Sequence, residues 1–110
     1  MKKVNILGTE YTIEIKKKEE DKWLNNIDGY CDKTSKKIVV AAEDEDNQLE
    51  IYSEYLKKIT RHEIIHAFLF ESGLHENFEH KKWGHDETVI DWIACQFPKM
   101  LQVFKEADCI

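Results

Sequence analysis

The sequence predicts one α+β domain spanning residues 1–110, in which a small antiparallel sheet packs on a pair of helices. Three observations support this prediction. Short segments of alternating apolar and polar residues fill the chain as far as Ala41, and two long stretches of helical periodicity follow. Strands followed by helices, rather than interleaved with them, are typical of the α+β class. The length suits one domain with a modest core.

A first hairpin is predicted from the segments Val4 to Leu7 and Tyr11 to Ile15. Both segments alternate between apolar and polar residues, and a glycine-containing turn, Gly8 to Glu10, separates them. The next segment, Lys16 to Asn26, is highly charged, and we expect it to form a loop or a short helix. Its charge runs of both signs are typical of solvated strand ends and turns.

A second hairpin is predicted from Tyr30 to Asp32 and Lys37 to Ala41, after a turn at Asp28 and Gly29. The segment Ile38 to Ala41 is the strongest strand of the chain, because β-branched residues dominate it.

The first helix is predicted from Asn47 to Ser72. Asn47 and Glu50 have the spacing of a capping box, and Gly73 is placed to end the helix in the left-handed conformation. A polar loop from Gly73 to His85 follows. Between the ends, no Pro or Gly interrupts a helical pattern formed by Leu49, Ile51, Tyr55, Leu56, Ile59, Ile64, Ile65, Phe68 and Leu69.

Within this helix lies the motif His62-Glu63-Ile64-Ile65-His66. Residues four apart share a helix face, so two imidazoles can bind one metal ion. Glu63 can reach a metal-bound water without binding the metal, and zinc lowers the pKa of such a water to about 7. Tyr55, Ile59 and Leu69 lie on the histidine face, so we expect the imidazoles to point inward.

A zinc site of this kind needs a third protein ligand. Leu69 and Ser72 stand where the metzincin pattern requires Gly and His, so a metzincin is excluded. The remaining candidates are His75, His80, His85, Asp86, Glu87 and Asp91.

A second helix is predicted to begin after Asp86 as its N-cap, with Pro98 either kinking it or starting a new helix that ends near Lys105. Glu87 and Asp91 lie on one face of this helix. We assign Glu87 as the third ligand and Asp91 as a group that orients a histidine.

The chain resembles the small gluzincin-type metallopeptidases of bacteria and their phages, especially the ImmA/IrrE-like family. That family pairs H-E-x-x-H with a later E-x-x-A-N-x-F-A segment, whose glutamate completes the zinc site. The segment from Glu87 to Ala94 aligns with it: the two end residues match, Ile93 replaces Phe, and Ile90 and Asp91 replace Ala and Asn. The resemblance extends roughly from residue 38 to residue 98.

The resemblance implies a zincin-like fold with the substrate extended beside an edge strand of the sheet. Either Ile38 to Ala41 or Gly29 to Asp32 is the expected edge, and peptides commonly bind by adding a strand there. The implied substrate is a protein or peptide, and a transcriptional regulator is one such partner.

The leading hypothesis is a zinc-dependent endopeptidase, in which His62, His66 and Glu87 bind Zn²⁺ and Glu63 is the general base. An oxyanion donor is also expected, and the candidates are His75, His80, His85 and Tyr30. The alternative is a catalytically silent, zinc-stabilised binding module of phage or mobile-element origin that acts on a host regulator. The intact Glu63 favours the enzyme, because a structural site has no use for a base.

The composition excludes several other classes. A net charge of −6 argues against non-specific nucleic-acid binding. No apolar run approaches 18 residues, so no membrane span is predicted. The N-terminus lacks a long apolar segment, and we therefore expect a cytoplasmic protein without a signal peptide. Cys31, Cys95 and Cys109 are widely spaced and are expected to be free thiols.

Overall fold

The computed structural model of the protein describes residues 1–76 and 85–110, and its architecture is α+β, as predicted. Residues 77–84 of the predicted polar loop, including His80, lie outside the described part. Four strands precede two long helices. The elements are β1 (Lys2–Ile6), β2 (Thr9–Lys16), β3 (Gly29–Asp32), β4 (Lys37–Ala41), α1 (Tyr52–Ser72) and α2 (Glu87–Glu106).

The sheet is mixed, so the prediction of an antiparallel sheet was wrong at one position. The strand order is β1-β2-β4-β3, with β2 and β4 parallel and the other two pairs antiparallel. The cause is the composition of β4. Its residues Ile38, Val39, Val40 and Ala41 are all buried, so both of its faces are covered, and a strand of this kind belongs in the interior of a sheet.

Because β4 is interior, β3 is one of the two edge strands, and β1 is the other. Of the two expected edges, Ile38 to Ala41 was therefore wrong, whereas Gly29 to Asp32 does lie at an edge of the sheet. One face of the sheet packs on α1 through a core that includes Tyr11, Ile38 and Ala67. The opposite face is covered by Leu24, which lies in a short 3₁₀ turn, Lys22–Leu24.

Both predicted hairpins form. The second has its turn at residues 33–36, between the predicted strands, whereas the turn of the first is shifted. The first turn contains only Leu7 and Gly8, both with positive φ, because the register pairs Ile6 directly with Thr9. Positive φ at both central residues is the geometry that matches the twist of the flanking strands. The predicted turn at Asp28 and Gly29 was wrong, since Gly29 already belongs to β3.

Helix α1 begins at Tyr52, so the predicted capping box at Asn47 was wrong. The Asn47 side chain instead donates hydrogen bonds to Asp28 and to the Tyr52 hydroxyl, both over 3.2 Å, and it ties the loop before the helix to the chain before β3. The C-terminus agrees with the prediction. Gly73 has a φ of 82° and donates its N–H to the Phe70 carbonyl.

Helix α2 begins as predicted, because the Asp86 side chain accepts a hydrogen bond from the Val89 N–H over 3.1 Å. The helix continues through Pro98 to Glu106, so the alternative of a new helix at Pro98 was wrong. None of the helices in the described ranges combines the length and the hydropathy that crossing a membrane requires.

Candidate metal centre

Helix α1 presents His62 and His66 to a cleft beside the sheet edge. Their side chains are 14% and 12% exposed, which confirms that the imidazoles point inward. The helical spacing of four residues places the ring centroids 5.0 Å apart and the two Nε2 atoms 3.2 Å apart. The two nitrogens therefore converge on one point.

Glu87 reaches the same point from the first turn of α2. One carboxylate oxygen lies 3.0 Å from His62 Nε2, and the other lies 2.9 Å from His66 Nε2. In a tetrahedral zinc site with bonds of about 2.0–2.1 Å, neighbouring donor atoms are about 3.3 Å apart. The spacing of the three side chains therefore fits a metal ion, and among the described residues this is the only such group of His, Cys, Asp or Glu.

The outward nitrogen of each imidazole also has a partner. His62 Nδ1 lies 3.2 Å from Asp91 Oδ1, and His66 Nδ1 lies 2.8 Å from His85 Nδ1. Because an ionised carboxylate only accepts hydrogen bonds, His62 carries its proton on Nδ1, and its Nε2 presents a lone pair to the cleft. The same tautomer of His66 donates to His85.

Two lone pairs and the carboxylate of Glu87 thus face one another, and such an arrangement repels itself unless a cation lies between them. Burial lowers the pKa of His66 to about 4, so this imidazole is neutral at physiological pH. Two imidazoles and one carboxylate are a donor set that suits a divalent metal ion.

Lys58 holds Asp91 in place. Its Nζ donates to Asp91 Oδ1 over 3.0 Å, and this hydrogen bond, together with that from His62, holds the pKa of Asp91 below its usual range. Asp91 therefore lies where the predicted orienting role requires it. Lys58 was not predicted as part of the site, although its position one helical turn before His62 is a signal that sequence reasoning could have used.

Glu63 lies beside His62 on α1 and is only 6% exposed. Gly29 of β3 makes room for it, because a Cβ there would lie 3.3 Å from Glu63 Cγ and 3.0 Å from Ile59 Cγ2. Burial raises the pKa of Glu63 to about 7. A carboxyl group with this pKa can both accept and release a proton near neutral pH.

The cleft around these groups has a volume of about 500 Å³, and β3 forms one of its walls. No strand pairs with the outer edge of β3 within residues 1–76 and 85–110. The lining residues are Ile27, Asp28, Gly29, Tyr30, Cys31, Tyr55, Ile59, His62, Glu63, His66, Phe70, His85, Glu87 and Asp91.

The candidates for an oxyanion donor differ in their surroundings. The Tyr30 hydroxyl donates to Asp21 over 2.6 Å, so it is already engaged in a hydrogen bond outside the His62, His66 and Glu87 group. His85 contacts His66 directly, whereas the His75 ring packs against Phe70. His80 lies outside the described residues.

The three cysteines are free thiols, as predicted. Cys31 lines the cleft, but burial raises the pKa of its thiol to about 12. A thiol that stays protonated at neutral pH is a poor metal ligand and a poor nucleophile.

Comparison of the chain with protein families, with curated proteins and with solved structures gives no match in any of the three. The functional argument therefore depends on the chemistry of the residues described above.

Proposed function

We propose that this protein is a zinc-dependent endopeptidase. The observation that carries the proposal is the convergence of His62, His66 and Glu87 beside a buried Glu63. These three side chains would hold the metal and would leave it a position for water, as hydrolytic zinc sites require. When bound, zinc supplies an acidified water and polarises a carbonyl oxygen.

The remaining steps use side chains of the chain itself. Glu63 accepts a proton from the attacking water and delivers it to the leaving amine, and its burial beside the two histidines suits it to both tasks. Asp91 keeps His62 in the tautomer that presents Nε2 to the cleft.

A zincin-like architecture is part of this proposal. The substrate, a protein or peptide, extends along the open edge of β3, where its backbone adds a further strand to the sheet. Gly29 supports this arrangement, because its missing side chain lets the edge strand approach Glu63 closely. The scissile bond then lies between the edge strand and the two histidines.

Metal analysis of the purified protein tests the ligand set. We expect about one zinc per chain, and we expect His62→Ala and His66→Ala to lose it. Glu63→Gln should retain the metal, because Glu63 is not a ligand. Full zinc occupancy in His62→Ala would rule out the assignment.

Cleavage of a fluorogenic peptide library and of unfolded casein tests the activity. We expect the wild type to cleave and Glu63→Gln to be inactive. Glu54→Gln is the matched control, because Glu54 lies exposed on the same helix and, among residues 1–76 and 85–110, its only ion pair is with Lys57. A wild type that binds zinc and peptides but cleaves none of these probes would favour the binding module over the enzyme.

A further inference from the structure

Arg61 and Pro98 meet at one backbone carbonyl between the two helices, and they are the only arginine and the only proline of the chain. Pro98 has no N–H, so the helical hydrogen bond from residue 98 to the Ala94 carbonyl cannot form. Ala94 is fully buried, and Arg61 donates from Nε to its carbonyl oxygen over 2.7 Å. A side chain of α1 therefore closes the gap in the hydrogen bonding of α2.

This contact belongs to a series along the two helices. His66 contacts Glu87, His62 contacts Asp91 and Arg61 contacts Ala94. Earlier residues of α1 thus pair with later residues of α2, so the helices run antiparallel. A shift of one residue moves a helix by about 1.5 Å. Metal–ligand distances hold within about 0.2 Å. The register of α2 on α1 must therefore be fixed closely for a metal to bind.

We propose that Arg61 is a positioning residue for metal binding. By donating to the carbonyl that Pro98 leaves without a helical donor, it fixes where α2 holds Glu87 and Asp91 over the two histidines. The bond ends on backbone, so it locates the helix itself, whereas the pair of Lys58 and Asp91 joins two side chains. This inference rests on the proposed metal centre and is independent of peptidase activity.

Electrostatics alone predicts the opposite effect of removing Arg61. A positive charge one residue from His62 disfavours a dication, so neutralising it should strengthen metal binding. A weaker affinity after neutralisation therefore reports lost positioning. This difference in sign separates the two explanations in one measurement.

The test measures Zn²⁺ affinity by chelator competition and records the visible spectrum of bound Co²⁺. We expect Arg61→Met to weaken zinc binding about tenfold or more, in the range known for groups that orient metal ligands, and to shift the Co²⁺ bands. Arg61→Lys keeps a donor and should rescue most of the affinity. Lys57→Met removes an exposed charge from the same helix and should match the wild type.

A double-mutant cycle with Pro98→Ala tests whether Arg61 acts through the Ala94 carbonyl. The alanine in that variant supplies a helical N–H to this carbonyl, so Arg61→Met should cost less zinc affinity in that background. An equal cost in both backgrounds would overturn the role of this carbonyl. Circular dichroism of the metal-free variants verifies folding, and Arg61→Leu, which also lacks a donor, replaces Arg61→Met if that variant does not fold.

The outcomes separate this inference from the proposed function. A wild type that binds no zinc overturns the metal centre, and the inference with it. If the wild type binds zinc and Arg61→Met matches it in zinc affinity and Co²⁺ spectrum, only the inference is overturned. This holds even if Arg61→Met melts at a lower temperature.

Discussion

Glu63 is buried, and among the described residues no cationic side chain forms an ion pair with its carboxyl group. These two properties seldom occur together in a helical glutamate. Desolvation is the main reason that its pKa rises. Retaining a buried carboxyl group lowers stability and needs a compensating function. Proton transfer next to a metal is such a function.

Glu63→Gln should therefore separate chemistry from metal binding. We expect zinc occupancy to stay at the wild-type level and the turnover number to fall by about 10²-fold to 10⁴-fold, the usual contribution of a general base. Parallel measurements of metal content and turnover verify this. Wild-type activity in the variant would remove Glu63 from the mechanism.

Glu87 and Asp91 lie four residues apart on one helix and differ in what they contact. Glu87→Ala removes the proposed third ligand and should abolish tight zinc binding. Asp91→Ala removes the partner of His62 Nδ1 and should weaken binding about 10–100-fold. Titration of both apoproteins with zinc gives the comparison. A reversed order would exchange the two roles.

The sequence identified the residues of the site better than the contacts among them. The spacing of His62, Glu63 and His66 is local, and a helix converts it directly into a shared face. The contact between His66 and His85 depends instead on how two separate segments pack, and no local pattern encodes it. The same is true of the bond between Arg61 and Ala94.

At the scale of elements, the C-terminal end of α1 is tied to the sheet by Glu71. Its carboxylate accepts hydrogen bonds from Thr9 over 2.9 Å, from Tyr11 over 2.8 Å and from Lys36 over 2.7 Å. These donors, led by Lys36, lower the pKa of Glu71 from 4.5 to about 2. The ionised form of one side chain therefore links the first hairpin, the turn before β4 and the helix.

This link predicts a pH dependence of stability. The folded pKa lies below the unfolded value, so the contribution of Glu71 is complete above pH 4.5 and is lost as the pH falls toward 2. Glu71→Gln should be less stable than the wild type at pH 7, and the difference should shrink through that window. Urea unfolding at several pH values measures it. Glu10→Gln, at an exposed surface pair, should show a much smaller change.

The start of α1 shows where reasoning from local pattern fails for an element. Asn47 and Glu50 have the spacing of a capping box, yet the helix begins five residues after Asn47. Hydrogen bonds from the Asn47 side chain to Asp28 and Tyr52 compete with capping, and no local pattern in the sequence indicates these partners. A tertiary contact therefore overrides the local signal.

For the whole molecule, the arrangement of the layers determines how a metal affects stability. Helix α1 packs on the sheet and on α2, whereas α2 packs chiefly on α1. A metal held by His62, His66 and Glu87 therefore joins the outer helix to the rest of the fold. The class of the fold was predictable from the order of strands and helices, but the parallel pair was not, because strand order depends on how the chain crosses the sheet.

Chelation should accordingly lower the melting temperature. A metal present at 1,000 times its dissociation constant stabilises the fold by about 4 kcal/mol, which corresponds to roughly 15 °C for a chain of this size. Thermal unfolding with and without chelator measures the shift, and amide exchange should show α2 losing protection before the sheet. His62→Ala, which lacks a ligand, should not respond to the chelator.

The parallel pairing of β2 with β4 also predicts an order of folding. Each hairpin closes over a short stretch of chain, on a timescale of about 1–10 μs for an isolated hairpin. The parallel pair, in which Ile13 lies opposite Ile38, closes a much longer loop. We therefore expect the two hairpins to be structured first and the parallel pairing between them to form later.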